Sequence, residues 1–87
     1  MELNLKGKNA IVTGGSKGIG KGIAMALAEE GCNVSICARH SDELETTADE
    51  LLDAGGKVLT VQADLTDKEA IEKVVDETKQ AFGSIDI

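Results

Sequence analysis

Thr13-Gly14-Gly15-Ser16-Lys17-Gly18-Ile19-Gly20 lies between a short apolar run and a long amphipathic one. That placement reads as a strand, a glycine-rich turn and the first turn of a helix, leaving backbone N–H groups free to face a phosphate. Gly14 allows a sharp exit from the strand, Gly18 lets a pyrophosphate approach the backbone, and Gly20 permits close packing of helix on sheet. The spacing is G-x-x-x-G-x-G, not the G-x-G-x-x-G fingerprint. Two other readings compete with it. A merely structural turn would not need this many glycines. Gly15 to Lys21 also fits G-x-x-x-x-G-K, but that motif goes on to a Ser or Thr that holds magnesium, and here Gly22 follows.

Upstream of the turn, Asn9-Ala10-Ile11-Val12 shows no polar alternation, as expected of a strand buried on both faces of a parallel sheet. Downstream, Ile19, Ile23, Ala24, Leu27 and Ala28 recur at helical spacing, and Glu30-Gly31 supplies a stop. The small residues Gly22, Ala24, Ala26 and Ala28 should let this helix lie close to the sheet. Val34 to Ala38 reads as the second strand. Arg39-His40-Ser41-Asp42 turns out of it, with Ser41 or Asp42 as cap for a helix whose apolar positions are Leu44, Ala48, Leu51 and Leu52.

Gly55-Gly56 ends that helix, and Lys57 to Gln62 is a third, strongly β-prone run leading into Ala63-Asp64-Leu65. Thr66-Asp67-Lys68-Glu69 has the form of a capping box. Ile71, Val74, Val75, Thr78 and Phe82 then mark one helix face, Gly83 stops the helix, and Ile85-Asp86-Ile87 begins a fourth strand. The β-α-β-α-β-α-β pattern implies an open, doubly wound parallel sheet with strand order 3-2-1-4, interrupted in its fourth strand. The glycine turn then lies at the carboxyl end of the sheet where the winding reverses, the place at which such sheets take ligands.

Composition sets limits around this pattern. Eighty-seven residues make at most one small domain of modest stability, and 41% hydrophobic with 29% charged residues is ordinary for a soluble globular chain. The longest apolar run, Ile23 to Ala28, falls far short of the ~18–20 residues needed to span a bilayer. With no signal pattern at the N-terminus, the chain reads as cytoplasmic. A net charge of −7 argues against nucleic acid or a membrane surface as partner. Cys32 and Cys37 flank the second strand roughly 16 Å apart, beyond the ~7 Å reach of a disulfide, so both are expected as buried thiols.

Thr13-Gly14-x-x-x-Gly18-Ile19-Gly20 after an apolar strand, with Asp64-Leu65 after the third, resembles the short-chain dehydrogenase/reductase family, in particular its 3-oxoacyl-carrier-protein-reductase-like members. The resemblance covers residues 1–87 and implies the N-terminal part of a Rossmann-type domain. By that resemblance Gly14, Ser16, Lys17, Gly18, Ile19 and Gly20 would line the diphosphate and adenosine ribose. Asp64 would contact the adenine amino group by its side chain, and the Leu65 backbone would read the ring edge. Without the resemblance, Asp64 is a turn or helix-entry residue.

At the end of the second strand an acidic residue would bind the ribose 2′-hydroxyl of NAD and repel a 2′-phosphate. Ala38 and Arg39 stand there instead, with Lys17 able to approach, which favours NADP(H) over NAD(H). The plainer alternative makes Lys17 and Arg39 solvated surface charges. His40 shows no partner and reads as a bystander.

The family's catalytic Ser and Tyr-x-x-x-Lys have no counterpart in this stretch, which contains no Tyr at all. The resemblance therefore implies the cofactor-binding part of an NADP(H)-dependent oxidoreductase interconverting a carbonyl and an alcohol, itself without catalytic or metal residues and inactive alone. The whole protein would be a homo-oligomer, tetramer or dimer. A stand-alone nucleotide-binding half-domain, or a scaffold that keeps the fold without chemistry, are the other classes the sequence leaves open.

Overall fold

An apolar strand without alternation, such as Asn9 to Val12, is satisfied by covering both faces of the sheet it joins. The computed structural model describes residues 6–14, 18–64 and 66–87 and has that arrangement. The elements run β1 (Asn9–Thr13), α1 (Gly18–Glu29), β2 (Asn33–Ala38), α2 (Ser41–Ala54), β3 (Val58–Gln62) and α3 (Lys68–Phe82). The strands pair in parallel in the order β1-β2-β3, with Asn9 opposite Asn33, Thr13 opposite Cys37, and Ala38 opposite Gln62. Val34 and Ile36 of β2 face one side, with Val12, Ala24, Ala28, Leu44 and Leu51 from β1, α1 and α2. Cys37 faces the other, with Val61, Ala63 and Val74 from β3 and α3. Each fully buried Leu, Ile or Val contributes about 1.5–3 kcal/mol relative to exposure, so β2, enclosed on both faces, is the centre of the core.

The expected fourth strand is present only as a start. Ile87 donates to the Asn9 carbonyl (3.1 Å) and accepts from the Ile11 N–H (3.1 Å), the pattern of a parallel pair on the outer edge of β1. The shown order is therefore 3-2-1, with residues 85–87 on the side where the fourth strand was expected. Side chains tie the same end together. The Asp86 carboxylate accepts from the Asn9 N–H (2.9 Å), and Asn9 donates to the Ser84 hydroxyl (3.0 Å). Asn33 donates to the Asn9 side-chain oxygen (2.9 Å) and accepts from the Lys57 N–H (3.0 Å). Nearly buried Asn9 thereby satisfies its polar atoms while bracing the amino ends of three strands.

The helix ends depart from expectation in instructive ways. α1 closes as read from sequence: Gly31 adopts φ +90°, its N–H donates to the Ala28 carbonyl (3.0 Å), and the Cys32 N–H donates to that of Leu27 (3.0 Å). Neither Ser41 nor Asp42 caps α2. His40, still extended, occupies the cap without a side-chain hydrogen bond, and Ser41 and Asp42 are already helical. The box expected to begin at Thr66 does not form: extended Asp67 is the cap of α3 and accepts from the Glu69 N–H (3.0 Å), and Ala70 stands where a box would need Glu or Gln.

The packing faces are narrower than the apolar spacing suggested. Ala24 and Ala28 carry the α1 contact, whereas Gly22, Ala26 and Ile23 are exposed. On α2, Leu44, Thr47 and Leu51 are buried and Leu52 is 54% exposed. On α3, Val74 and Thr78 are buried while Ile71 is exposed. Thr78 is polar yet fully covered. Its hydroxyl lies 2.9 Å from that of Ser35 and donates to the Val74 carbonyl (2.7 Å), which removes the penalty of burying it.

One glycine is required by close approach. Gly56 has φ +74°, and a Cβ there would press into the Cys32 carbonyl at the entry to β2. Gly83, also left-handed at φ +90°, has nothing among the described residues within 4 Å of its Cβ position. Gly83→Ala should cost about 1 kcal/mol from backbone conformation alone. Gly56→Ala should cost about 3 kcal/mol, since β2 must also give way. Urea unfolding midpoints of the two variants check the difference.

Candidate functional site

Parallel strands deliver their carboxyl ends to one edge, so the exits of β1, β2 and β3 form a common mouth. At the β1 exit Gly14 takes φ +66°, and its N–H donates to the Cys37 carbonyl (3.1 Å), extending the ladder one residue beyond the strand. Gly18 opens α1 at φ +53°. Among the described residues nothing lies within 4 Å of a Cβ built on either glycine, so the backbone there is open to close approach. Gly20 sits half-buried in the first turn, and Ile19 beside it is 85% exposed. Ser16, Lys17 and Leu65 lie outside the described residues.

The charge at the three helix starts differs. α2 has Asp42 and Glu43 in its first turn and α3 has Glu69, each complementing the positive end of its helix dipole. α1 has no acid in its first turn, which holds Lys21 instead. Of the three helices that begin at the mouth, α1 is the one whose first turn carries no acid, as suits an anion site. Lys21 itself pairs with Glu50 of α2 (2.8 Å) and lines a shallow groove of about 250 Å³ with Asp42, Glu43, Thr46 and Thr47.

Arg39 and His40 follow β2 as exposed residues. The Arg39 main chain is held from β3: the Ala63 N–H donates to the Ala38 carbonyl (2.9 Å), and the Gln62 side-chain amide donates to that of Arg39 (2.9 Å). Asp64 at the β3 exit is exposed, and its Oδ1 accepts both the Thr66 N–H (3.0 Å) and the Thr66 hydroxyl (2.7 Å). Thr66 is therefore not the helix cap but the residue that orients Asp64. Its backbone N–H, then its hydroxyl, lower the Asp64 carboxyl pKa; burial opposes them in part, and the Arg39 charge, the smallest of the contributions, adds to the lowering. Asp64 is an anion at neutral pH, with Oδ2 carrying no hydrogen bond among the described residues.

Of the residues singled out by sequence, Gly14, Gly18, Ile19, Gly20, Arg39 and Asp64 are all at this end. Gln62 and Thr66 were missed. The Asp-x-Thr spacing was the available signal for Thr66, since an Asp side chain commonly bonds to backbone two residues on. Cys32 and Cys37 are buried thiols with no bridge between them, and burial pushes both pKa values up. Among the described residues no group of His, Cys, Asp and Glu is placed to hold a metal ion, and no helix is long and apolar enough to cross a membrane.

A parallel sheet flanked by helices, with a glycine turn and a helix start free of acid at its carboxyl edge, defines a Rossmann-like α/β fold. The chain belongs to the short-chain dehydrogenase/reductase family: the family model described as short chain dehydrogenase matches residues 8–87. It is 41% identical over 83 residues to a short chain dehydrogenase of Pseudocercospora fijiensis, covering 95% of this chain and 27% of that protein. Among solved structures it resembles L-sorbose reductase from Gluconobacter frateurii complexed with NADPH and L-sorbose. The TM-score is 0.95 at 37% identity, over 99% of this chain and 33% of that one. It also resembles an NAD+-bound xylitol dehydrogenase, with a TM-score of 0.91 at 32% identity over 94% of this chain and 32% of that one. The chain thus spans about a third or less of the length of these relatives.

The orientation of Asp64 is open to direct titration. Thr66→Val removes one of the two bonds to Oδ1 and should raise the Asp64 pKa toward its ordinary value, with Arg39→Ala giving a smaller rise. Because the folded-state pKa is lowered, the stability linked to it is present above the unfolded value and lost as pH falls through the folded one. The substitution should therefore lower stability at neutral pH, where the linked contribution is present, and flatten the acid dependence below about pH 4, with little change once the carboxyl is protonated in both states. Carboxyl NMR titration of the two variants checks both the direction and the order.

Proposed function

We propose that residues 1–87 form the adenosine-binding part of a nicotinamide-dinucleotide oxidoreductase domain with a preference for NADP(H), in a protein that interconverts a carbonyl and an alcohol. The observation that carries this reading is the mouth at the carboxyl edge. An α1 start without an acid stands beside open backbone at Gly14 and Gly18, with Arg39 and an oriented Asp64 on the adjoining exits. The cofactor, when bound, supplies or accepts the hydride, and this chain's residues bind and orient it.

In this reading the α1 N–H groups and the backbone at Gly14, Gly18 and Gly20 receive the diphosphate, with Ser16, Lys17 and Ile19 lining the ribose side. Asp64 Oδ2 accepts from the adenine amino group, while Thr66 fixes Oδ1 and so the plane of the carboxylate. The Leu65 backbone follows the ring edge. Arg39, with Lys17, meets the 2′-phosphate. Of the two solved relatives one is complexed with NADPH and the other is NAD+-bound, so the preference here rests on Arg39 at a place where an acid would favour NAD.

Within the family we place the whole protein with the 3-oxoacyl-carrier-protein-reductase-like members on the form of its glycine turn, and expect a cytoplasmic homo-oligomer. Buried, unbridged Cys32 and Cys37 suit a reducing compartment. The residues that carry the family's proton chemistry are not among these 87, so the stretch by itself should bind without catalysing.

Isothermal titration of the chain with NADP+, NAD+ and 2′,5′-ADP tests the reading. A charge-assisted phosphate contact contributes about 1.5–3 kcal/mol, so NADP+ should bind roughly 10- to 100-fold more tightly than NAD+. Arg39→Asp should reverse the order. Stronger binding of NAD+ by the unsubstituted chain would refute the preference, and unchanged NADP+ affinity in Arg39→Asp would refute the role of Arg39.

A further inference from the structure

We propose that Gln62 is a positioning residue for recognition of a ribose 2′-phosphate, acting through the main chain of Arg39. The inference rests on the reading of Arg39 given above and adds a residue that the glycine turn and the strand exits do not reveal. Gln62 is the last residue of β3 and stands opposite Ala38, the last residue of β2. The backbone ladder between these strands ends one step further, where the Ala63 N–H reaches the Ala38 carbonyl (2.9 Å). Beyond it the Gln62 side chain takes over, donating from Nε2 to the Arg39 carbonyl (2.9 Å). A side chain thus continues the sheet pairing by one residue, at the residue that carries the cation.

The consequence is conformational. The Arg39 carbonyl belongs to the peptide joining Arg39 to His40, so holding it fixes the backbone rotation from which the Arg39 side chain departs and α2 begins. On its α2 side the backbone bonding that follows is weak. His40 caps α2 without a side-chain hydrogen bond, and its carbonyl accepts from the Leu44 N–H at 3.4 Å, a long contact. On the β1 side the Gly14 N–H holds the Cys37 carbonyl, two residues before Arg39. Gln62 therefore closes the interval between the end of the ladder and the start of the helix.

The chemistry of the residue fits this task. Gln62 is exposed and offers a neutral donor, so it holds the Arg39 carbonyl without adding a charge that would neutralise the guanidinium of the same residue. A carboxylate at the same place would be repelled by the carbonyl and would draw the Arg39 charge toward itself, away from an incoming phosphate. Asp64 already lies near enough for the Arg39 charge to be felt at its carboxyl. With Asp64 engaged by Thr66 and Gln62 engaged by the Arg39 carbonyl, the guanidinium keeps a defined origin between the two strand exits. A guanidinium leaving from a fixed backbone gives up less freedom on meeting a phosphate than one leaving from a loose loop. The diphosphate and adenine contacts do not pass through Arg39, so the effect belongs to the 2′-phosphate alone.

The test uses the 87-residue chain with 2′,5′-ADP and 5′-ADP as probes, ligands that differ only in the 2′-phosphate. Gln62→Met keeps the length and removes the donor; Gln62→Glu keeps the shape and replaces the donor with an oxygen. Both should weaken 2′,5′-ADP about three- to tenfold, the range of one hydrogen bond, and leave 5′-ADP within about twofold. In the Arg39→Ala background the neutral Gln62→Met should have no further effect on 2′,5′-ADP, because the coupling runs through Arg39. Without ligand, the His40 and Ser41 amide protons should exchange faster in Gln62→Met.

Equal loss for both ligands, or a Gln62→Met loss that persists in Arg39→Ala, would overturn the inference and make Gln62 a general stabiliser of the loop. If Arg39→Ala weakens 2′,5′-ADP and the Gln62 variants do not, this inference alone fails. If Arg39→Ala leaves 2′,5′-ADP binding intact, or the unsubstituted chain does not bind it, the NADP(H) reading fails and takes the role of Gln62 with it.

Discussion

Parallel pairing of β1 with β2, in register from Asn9–Asn33 to Thr13–Cys37, is the constraint on which the rest depends. It forces a crossover between the strands, and α1 is that crossover. It also sets the Gly14 turn level with the exit of β2, because Gly14 follows Thr13 and donates back to the Cys37 carbonyl facing it. Shifting the register by one residue would turn Val34 and Ile36 away from Ala24 and Ala28 and part the two exits. The Asn9–Asn33–Lys57 bonds at the opposite end hold the same register from the amino side.

The two ends of the sheet accordingly do different work. At the amino end polar side chains bond to each other, to backbone, and to Ser84 and Asp86, leaving few of their atoms for anything else. At the carboxyl end the polar groups are oriented but not exhausted: Asp64 is held by one oxygen, and α1 begins without an acid. This difference matters in a chain of net charge −7. An anionic ligand meets net repulsion at a distance, screened over about 8–10 Å at physiological salt, so attraction must come from a few groups at short range. The positive end of α1 and the Arg39 guanidinium are such groups.

The strands and the turn were legible because their signals are local. An unalternating apolar run, a glycine whose φ must be positive, and an acid just past a strand each appear within a few residues of chain. The helix caps were misread where two competent residues stand side by side, as Thr66 and Asp67 do, since the choice depends on where the backbone turns. The apolar spacing marked Ile19, Ile23, Leu52 and Ile71 as packing residues, but a helix touches a sheet along a narrower arc than its apolar residues span, and all four are exposed. Asn9 and Gln62 could not be read at all. Their partners lie far away in sequence, Ser84 and Asp86 for one and Arg39 for the other, and only the sheet brings them near.

The central claim is that the carboxyl edge of this sheet, and not its amino edge, takes a dinucleotide carrying a 2′-phosphate. Backbone amide shifts followed by NMR during titration with NADP+ test it in one experiment. Gly14, Gly18, Ile19, Gly20, Arg39, Ala63 and Asp64 should move, Arg39 and His40 less for NAD+, while Asn9, Asn33 and Gly56 stay quiet. Shifts gathered at the amino edge, or identical responses to the two cofactors at Arg39, would contradict it.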